Sequence, residues 1–359
     1  MNRYLNPKGS RKVSLFRRHE NMPIIIMFVG FVAAIIIMQL IAGASSGTIG
    51  YPSFISPVNL FNIMMQIACV GIMAVGMTMV MISGGIDLSV GFLVSLIAIF
   101  TATAITKWGM SVPVAITLAL FLSIGLEAIL GFIISRSSAE PFIITLGGMI
   151  AFQGIALLLC KSHEVTMQGQ LDFFKTNLLN DVKSSEGLIM SIPIYVVIFI
   201  AVTVIIWWLL KYTKYGRRIY AVGANSNAAY LSGIDVKNIK LSTYMLNGLL
   251  VGGAAILLLA RVNVGIITLG QGLEIDTIAA VVIGGVAMSG GKGNIWGTFL
   301  GAVLLGTIAN AMNILRLQSE WQFVAKGVII IVAVYAGAIS AQLSARNDLR
   351  RKHSLSEES

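Results

Sequence analysis

Apolar runs of membrane-crossing length recur along most of the chain, separated by short polar stretches. They lie at 22–42, 58–82, 89–106, 112–135, 142–160, 191–210, 241–260, 274–289, 295–313 and 322–342. About twenty apolar residues in helical form cross a bilayer core, so the pattern predicts ten spans. The shortest runs are 89–106 and 274–289, with acids at or just before one end. The expected fold is all-α: a polytopic integral membrane helix bundle of about ten transmembrane helices, with glycine-broken segments.

Composition strengthens this picture. Hydrophobic residues are 57% of the 359 and charged residues 11%, whereas a soluble domain carries about a quarter charged. Mean hydropathy is +0.87. Such a chain lacks the polar surface to cover a globule, and membrane lipid is its expected surrounding. The net charge of +10 therefore belongs to loops. Basic loops facing anionic lipid account for it without a nucleic-acid partner. Cys69 and Cys160 show no disulfide or metal spacing, and His19, His163 and His353 lie outside the spans. No metal and no cofactor are expected.

Charge also sets orientation. With the N-terminus in the cytoplasm, alternate loops collect eighteen Lys and Arg inside against six outside. This positive-inside bias, with an even number of spans, puts both termini in the cytoplasm. The chain then divides into a basic tail at 1–21, a membrane domain at 22–342 and a second tail at 343–359. The first run is too long for the apolar core of a secretory signal. The loop at 161–190, bearing Phe173 and Phe174, is the longest outside; it can face an extracytoplasmic partner or simply solvent.

The most basic interruption of the apolar pattern is the loop 211–240, with Lys211, Lys214, Arg217, Arg218, Lys237 and Lys240 against Asp235 alone. It predicts a short helix at Asn227–Ser232. Asn225 or Ser226 serves as N-cap and Gly233 as the left-handed stop. About two turns are marginal alone in water, and Ala228, Ala229 and Leu231 suit a partner's groove.

Two helix breaks share one spacing. Ser83-Gly84-Gly85 is followed by Gly91 six residues on, and Ser289-Gly290-Gly291 by Gly297. In the first, Asp87 or Ser89 can cap the next helix. Paired glycine interruptions in two parts of a membrane chain point to a transport pathway; the plainer reading is close helix packing. Gly84, Gly85, Asp87, Ser89, Gln66 and Asn310 are the candidate pathway residues. Other amides at span positions, Asn62, Gln153, Asn247 and Asn313, line a pore or join helices.

Few ionisable groups lie within spans: Glu127, Lys326, Glu274 and Asp276. Glu127 is either an ion-coupling carboxylate or a hydrogen-bonded structural acid. The second is preferred, because no set of buried acids or histidines accompanies it. Gly290-Gly291-Lys292 is not a phosphate-binding loop: Val286 stands five before Gly291, and Gly293 rather than Ser or Thr follows Lys292. Neither a nucleotide-hydrolysing site nor a catalytic constellation is expected.

Several ordered motifs over about residues 55–340 resemble the permease subunits of bacterial ribose/galactose/xylose-type ABC importers. They are 83–91 (SGGIDLSVG), Pro141-Phe142-Ile143 with Thr145-Leu146-Gly147, and 216–236 (GRRIYAVGANSNAAYLSGIDV). Glu274 through Ala280, Gly290-Gly291-Lys292-Gly293, and Trp321-Gln322 with Lys326-Gly327 match as well. The resemblance implies a multi-pass protein of the bacterial cytoplasmic membrane that imports a monosaccharide by alternating access and is not itself an enzyme. Its implied partners are a cytoplasmic ATP-binding subunit, an extracytoplasmic sugar-binding protein and a second permease copy, most simply as a homodimer. The helix near 225–233 is then similar to a coupling helix that docks in the ATPase through Asn225, Ser226, Ala228, Ala229, Leu231 and Gly233. Ala224, Ser226, Asn227, Leu130 and Glu127 depart from the family's usual residues. A nucleoside-importing permease and an ion-coupled secondary sugar carrier are the alternatives.

Overall fold

A computed structural model describes residues 57–175, 193–314 and 320–328, with the single positions 29, 33, 318, 331 and 335. The first and tenth predicted spans and the terminal tails lie wholly or largely outside the described residues. The helices are α1 (Pro57–Ile82), α2 (Val90–Thr106), α3 (Val112–Arg136), α4 (Pro141–Cys160) and α5 (Ile194–Tyr212). They continue with α6 (Lys214–Ala224), α7 (Ser226–Leu231), α8 (Val236–Val262), α9 (Leu273–Ile283) and α10 (Ile295–Ile314). Among the described residues the sheet content is one small antiparallel bridge, β1 (Val165–Thr166) with β2 (Val264–Gly265), which ties the segment after α4 to that after α8.

Among the described residues, six helices are long and apolar enough to cross a membrane: α1, α3, α4, α5, α8 and α10. α2 is apolar but has 17 residues, of which all but Phe100 and Thr106 are buried. This is the bundle of a polytopic membrane protein. Buried α1 is its axis, packed against α5, α8, α9 and α10, while α2 fills the space between α4, α8 and α3. α3 and α4 turn large apolar side chains outward, among them Phe121, Phe132, Ile150 and Leu158. In water such faces would be costly; toward lipid they are the expected surface.

Two predictions from the sequence are corrected. The apolar run at 274–289 is not a full span: α9 has 11 residues, roughly half a bilayer at about 1.5 Å per residue. Gly285, at φ 81, ends it. Its N–H donates to Val282 O (2.9 Å), and that of Val286 to Val281 O (3.2 Å), the pair of bonds that closes a Schellman motif. The irregular backbone from 284 to 294 is only partly covered by protein, with Gly284, Val286 and Gly290 buried and Gly285, Met288, Ser289, Lys292 and Asn294 exposed. The second correction concerns the basic loop, which holds two helices rather than one. α6 is amphipathic, burying Gly216, Ile219 and Val222, and starts where Thr213 Oγ1 accepts from the Gly216 N–H (3.1 Å).

Small residues set the helix spacing. A side chain at Gly248 of α8 would strike Ser123 and Glu127 of α3, and Ser123 Oγ donates to Gly248 O across 2.6 Å. A side chain at Gly297 or Gly301 of α10 would meet the backbone of Gly284 or Ala280. In lipid, where apolar contact with a neighbour helix differs little from contact with acyl chains, such close packing and interhelical hydrogen bonds hold a bundle together. Thr78 and Thr298 join α1 to α10 in this way, Oγ1 to Oγ1 at 2.7 Å.

Candidate functional site

The first glycine break is a Schellman end. Gly84 takes φ 87, with Gly84 N–H donating to Met81 O and Gly85 N–H to Val80 O, both at 3.0 Å. Gly85 lies against the Tyr244 hydroxyl. After the turn the chain runs unhelical to Ser89. Thr145 Oγ1 clasps that stretch, accepting from Leu88 N–H (3.1 Å) and lying 3.2 Å from Ile86 O.

Asp87 and Ser89 are fully buried. Neither caps α2 in the expected way: Ser89 holds the N-cap position without a side-chain capping bond. Instead Asp87 Oδ1 accepts from Ser89 N–H (2.9 Å) and Ser89 Oγ (2.6 Å). Asn247 Nδ2 of α8 donates to Asp87 Oδ2 at 2.8 Å. Ser89 Oγ also lies 3.0 Å from Glu127 Oε1 of α3. Loop, α3 and α8 are therefore fastened around one polar knot in the apolar core. This overturns the premise that Glu127 stands without another buried acid, since Ser89 brings it to Asp87. Glu127 Oε2, Asn247 Oδ1 and Tyr244 Oη, also buried, have no hydrogen-bond partner among the described residues.

The other two candidate pathway residues are far from this knot in the fold. Gln66 lines a narrow cleft of about 40 Å³ with Ile67, Val70, Ala302, Gly306 and the ion pair of Lys326 with Asp276. Asn310 is buried, and its Oδ1 has no hydrogen-bond partner among the described residues. The structure thus groups Gly84, Gly85, Asp87 and Ser89 and places Gln66 elsewhere. Of the remaining amides, Asn247 is an interhelical tie, and Asn313 accepts from Gln322 Nε2 at 3.0 Å. Among the described residues no group of three or more His, Cys, Asp and Glu could hold a metal ion.

At the end of the bundle where the break lies, α7 occupies Ser226–Leu231. Asn225 is its cap, Oδ1 accepting from the Ala228 N–H at 2.9 Å; Ser226 instead donates back to Val222 O (2.9 Å). Gly233, at φ 79, closes it, with Gly233 N–H bonded to Tyr230 O (2.9 Å) and Ile234 N–H to Ala229 O (3.0 Å). Ala229 faces inward at 4% exposure, while Tyr230 and Leu231 stand out at 72% and 84%. Ala228 is exposed too. Ala229 thus anchors the helix, and the outward surface belongs to Ala228, Tyr230 and Leu231. Tyr230 was not expected there, since the apolar residues singled out in the sequence were Ala228, Ala229 and Leu231.

The second break meets the first. Gly291 N–H donates to Ile82 O at 2.9 Å, and Tyr220 Oη of α6 donates to Gly293 O at 2.9 Å. Burial raises the Tyr220 phenol above its ordinary range, which keeps it a donor. No spacing in the sequence signalled that the two breaks touch, since they lie some two hundred residues apart.

Comparison with known proteins agrees with this geometry. Residues 59–334 match the family model described as branched-chain amino acid transport system / permease component. The ribose import permease protein of Bacillus subtilis (strain 168) is 38% identical over 79% of this chain and 85% of its own length. That of Escherichia coli (strain K12) is 39% identical over 79% and 86%. The xylose transport system permease protein of Haemophilus influenzae is 31% identical over 86% and 95%. No solved structure gives a significant match. With its helix bundle, paired glycine breaks and capped helix at one end, the chain belongs to the family of membrane permease components that includes these sugar transport permeases.

Proposed function

We propose that the chain is the membrane subunit of an ATP-driven importer for a monosaccharide of the ribose and xylose class. The observation that carries this reading is the likeness to ribose, xylose and D-allose permeases along 79–86% of the chain. Two copies form the pathway, an external binding protein delivers the sugar, and a separate ATPase subunit supplies the force. The chain itself hydrolyses nothing. The α6–α7 end lies in the cytoplasm with both tails, in line with the excess of Lys and Arg on that side.

The geometry supports a mechanism of alternating access. α7 presents Ala228, Tyr230 and Leu231 at one end, a surface suited to a groove in the ATPase. Closure of the paired ATPases moves α7 and α6, and α6 bears on the breaks after α1 and after α9. Helices interrupted by glycine swing at those points more readily than continuous ones, because the broken turns have no helical bonds to shear.

The test is uptake of radiolabelled D-ribose, D-xylose and D-allose by proteoliposomes containing the chain, its ATPase and its binding protein. Uptake that requires ATP and the binding protein, and is competed by one of these sugars, is the expected result. Accumulation by the chain alone under an ion gradient would overturn the reading.

A further inference from the structure

Three backbone segments converge at the α6 end of the bundle with almost no side chain between them. Gly223, near the end of α6, leaves no room for a Cβ: one would overlap Ile82 O, the last carbonyl region of α1, and lie 2.6 Å from Gly291 N. A Cβ on Gly290 would sit 2.9 Å from both Gly223 O and Gly84 Cα, and one on Gly291 would lie 2.6 Å from Ala224 Cα. The bond from Gly291 N–H to Ile82 O, 2.9 Å, runs directly past Gly223. Gly84, Gly290 and Gly291 all hold positive φ, so each is favoured as glycine by conformation, and Gly290 and Gly291 by space as well. Gly223 has no such φ requirement; contact alone excludes a side chain there.

We infer that Gly223 is a positioning residue, the point at which α6 grips both helix breaks so that one displacement of the α6–α7 unit moves both together. This rests on the importer reading above and adds to it the route by which force reaches the helices. A side chain elsewhere on α6 would press on a flexible neighbour and lose motion in rotamer changes. Backbone against backbone does not yield in that way. Tyr220 adds the second tie, its hydroxyl holding Gly293 O from the same helix. α7 is joined to α6 through the Asn225 cap and through Ser226 Oγ, which donates to Val222 O at 2.9 Å, so the pair shifts as a unit and Gly223 lies just before the corner.

The test uses the full complex of chain, ATPase and binding protein in proteoliposomes, with radiolabelled D-ribose as probe. Gly223→Ala adds one methyl group at the crossing, and Tyr220→Phe removes the hydroxyl tie without adding volume. Both are expected to pull down the ATPase at the wild-type level and to keep ATP hydrolysis stimulated by ribose-loaded binding protein. The ribose moved per ATP is expected to fall about tenfold in Gly223→Ala and at least twofold in Tyr220→Phe. Wild-type ribose per ATP in an assembled Gly223→Ala complex would overturn the inference. Should that variant fail to assemble, Tyr220→Phe decides: an unchanged ratio overturns the inference, a lowered one supports it. Failure of the importer reading is separately visible, because the unmutated complex would then show no ATP-dependent uptake at all.

Discussion

Asn247 Nδ2 donates to Asp87 Oδ2 across 2.8 Å, linking the middle of α8 to the loop between α1 and α2. Both residues are fully buried, so the bond sits where water cannot replace it. Removing one partner of such a bond leaves a polar group with nothing to pair with, at a cost of about 1–3 kcal/mol. Asn247→Leu is therefore expected to lower the melting temperature of the detergent-solubilised protein by several degrees. Asn247→Asp, which sets a further carboxyl beside Asp87 and Glu127, is expected to lower it further. Thermal unfolding followed by tryptophan fluorescence checks both, and an unchanged midpoint would show that the bond contributes nothing.

Glu127 separates an ion-driven carrier from a powered permease. Ser89 has one hydroxyl hydrogen and touches both Asp87 Oδ1 and Glu127 Oε1, at 2.6 and 3.0 Å. An amide at position 127 fits that arrangement: its NH2 can donate to Ser89 Oγ while Ser89 donates to Asp87. Glu127→Gln is thus expected to leave ATP-driven uptake within about twofold of wild type, equivalent to about 0.4 kcal/mol in the barrier. Glu127→Leu, which offers Ser89 no partner, is expected to reduce folded protein in the membrane. Loss of uptake in a well-folded Glu127→Gln protein would instead assign Glu127 a role in ion coupling.

Local chemistry was legible in the sequence, and long-range closure was not. The Asn225 cap and the Gly233 stop were readable because both act within four residues of their partners. Gly84 was readable as a break for the same reason. The length of α9 was not, because from Ile278 to Met288 the run has no polar side chain. Hydropathy does not register a glycine that leaves the helical region in the middle of an apolar run. The neighbour of Glu127 was hidden too: Asp87 lies forty residues earlier and reaches it only in the fold, with Ser89 bridging the two at the head of α2. Ala229 misled in a different way, since small apolar residues serve equally to dock outward and to seat a helix on its own fold.

The ion pair of Lys326 with Asp276, 2.8 Å long, has both side chains about a quarter exposed, at 28% and 23%. Where water reaches such a pair it contributes about 0–1 kcal/mol, so Lys326→Met is expected to shift the melting temperature by no more than a few degrees. The pair also borders the cleft lined by Gln66. The exchanged pair, Asp276→Lys with Lys326→Asp, tests whether attraction or a fixed sign at each position matters. Recovery of stability in the exchanged protein, measured against the two single variants at low and high salt, is the expected outcome. A larger loss in the double variant than in either single one would show that the acid must stay at the N-terminal turn of α9, where it opposes the helix dipole.

The outward face of α7 gives the sharpest contrast between neighbouring positions. Leu231 is 84% exposed and Ala229 4%, two residues apart on a helix of six. Leu231→Asp changes nothing the chain's own fold depends on. It is expected to leave the melting temperature within about one degree while weakening ATPase association at least tenfold, about 1.4 kcal/mol. Ala229→Asp places a charge in the seat of the helix. It is expected to loosen α7 first, seen as faster amide exchange across Ser226–Leu231, with weaker association following from that. Pull-down and hydrogen exchange on the same preparations distinguish the two effects. If Leu231→Asp and Ala229→Asp both bind the ATPase as the wild type does, α7 is not where the force enters, and the chain must be driven from another surface.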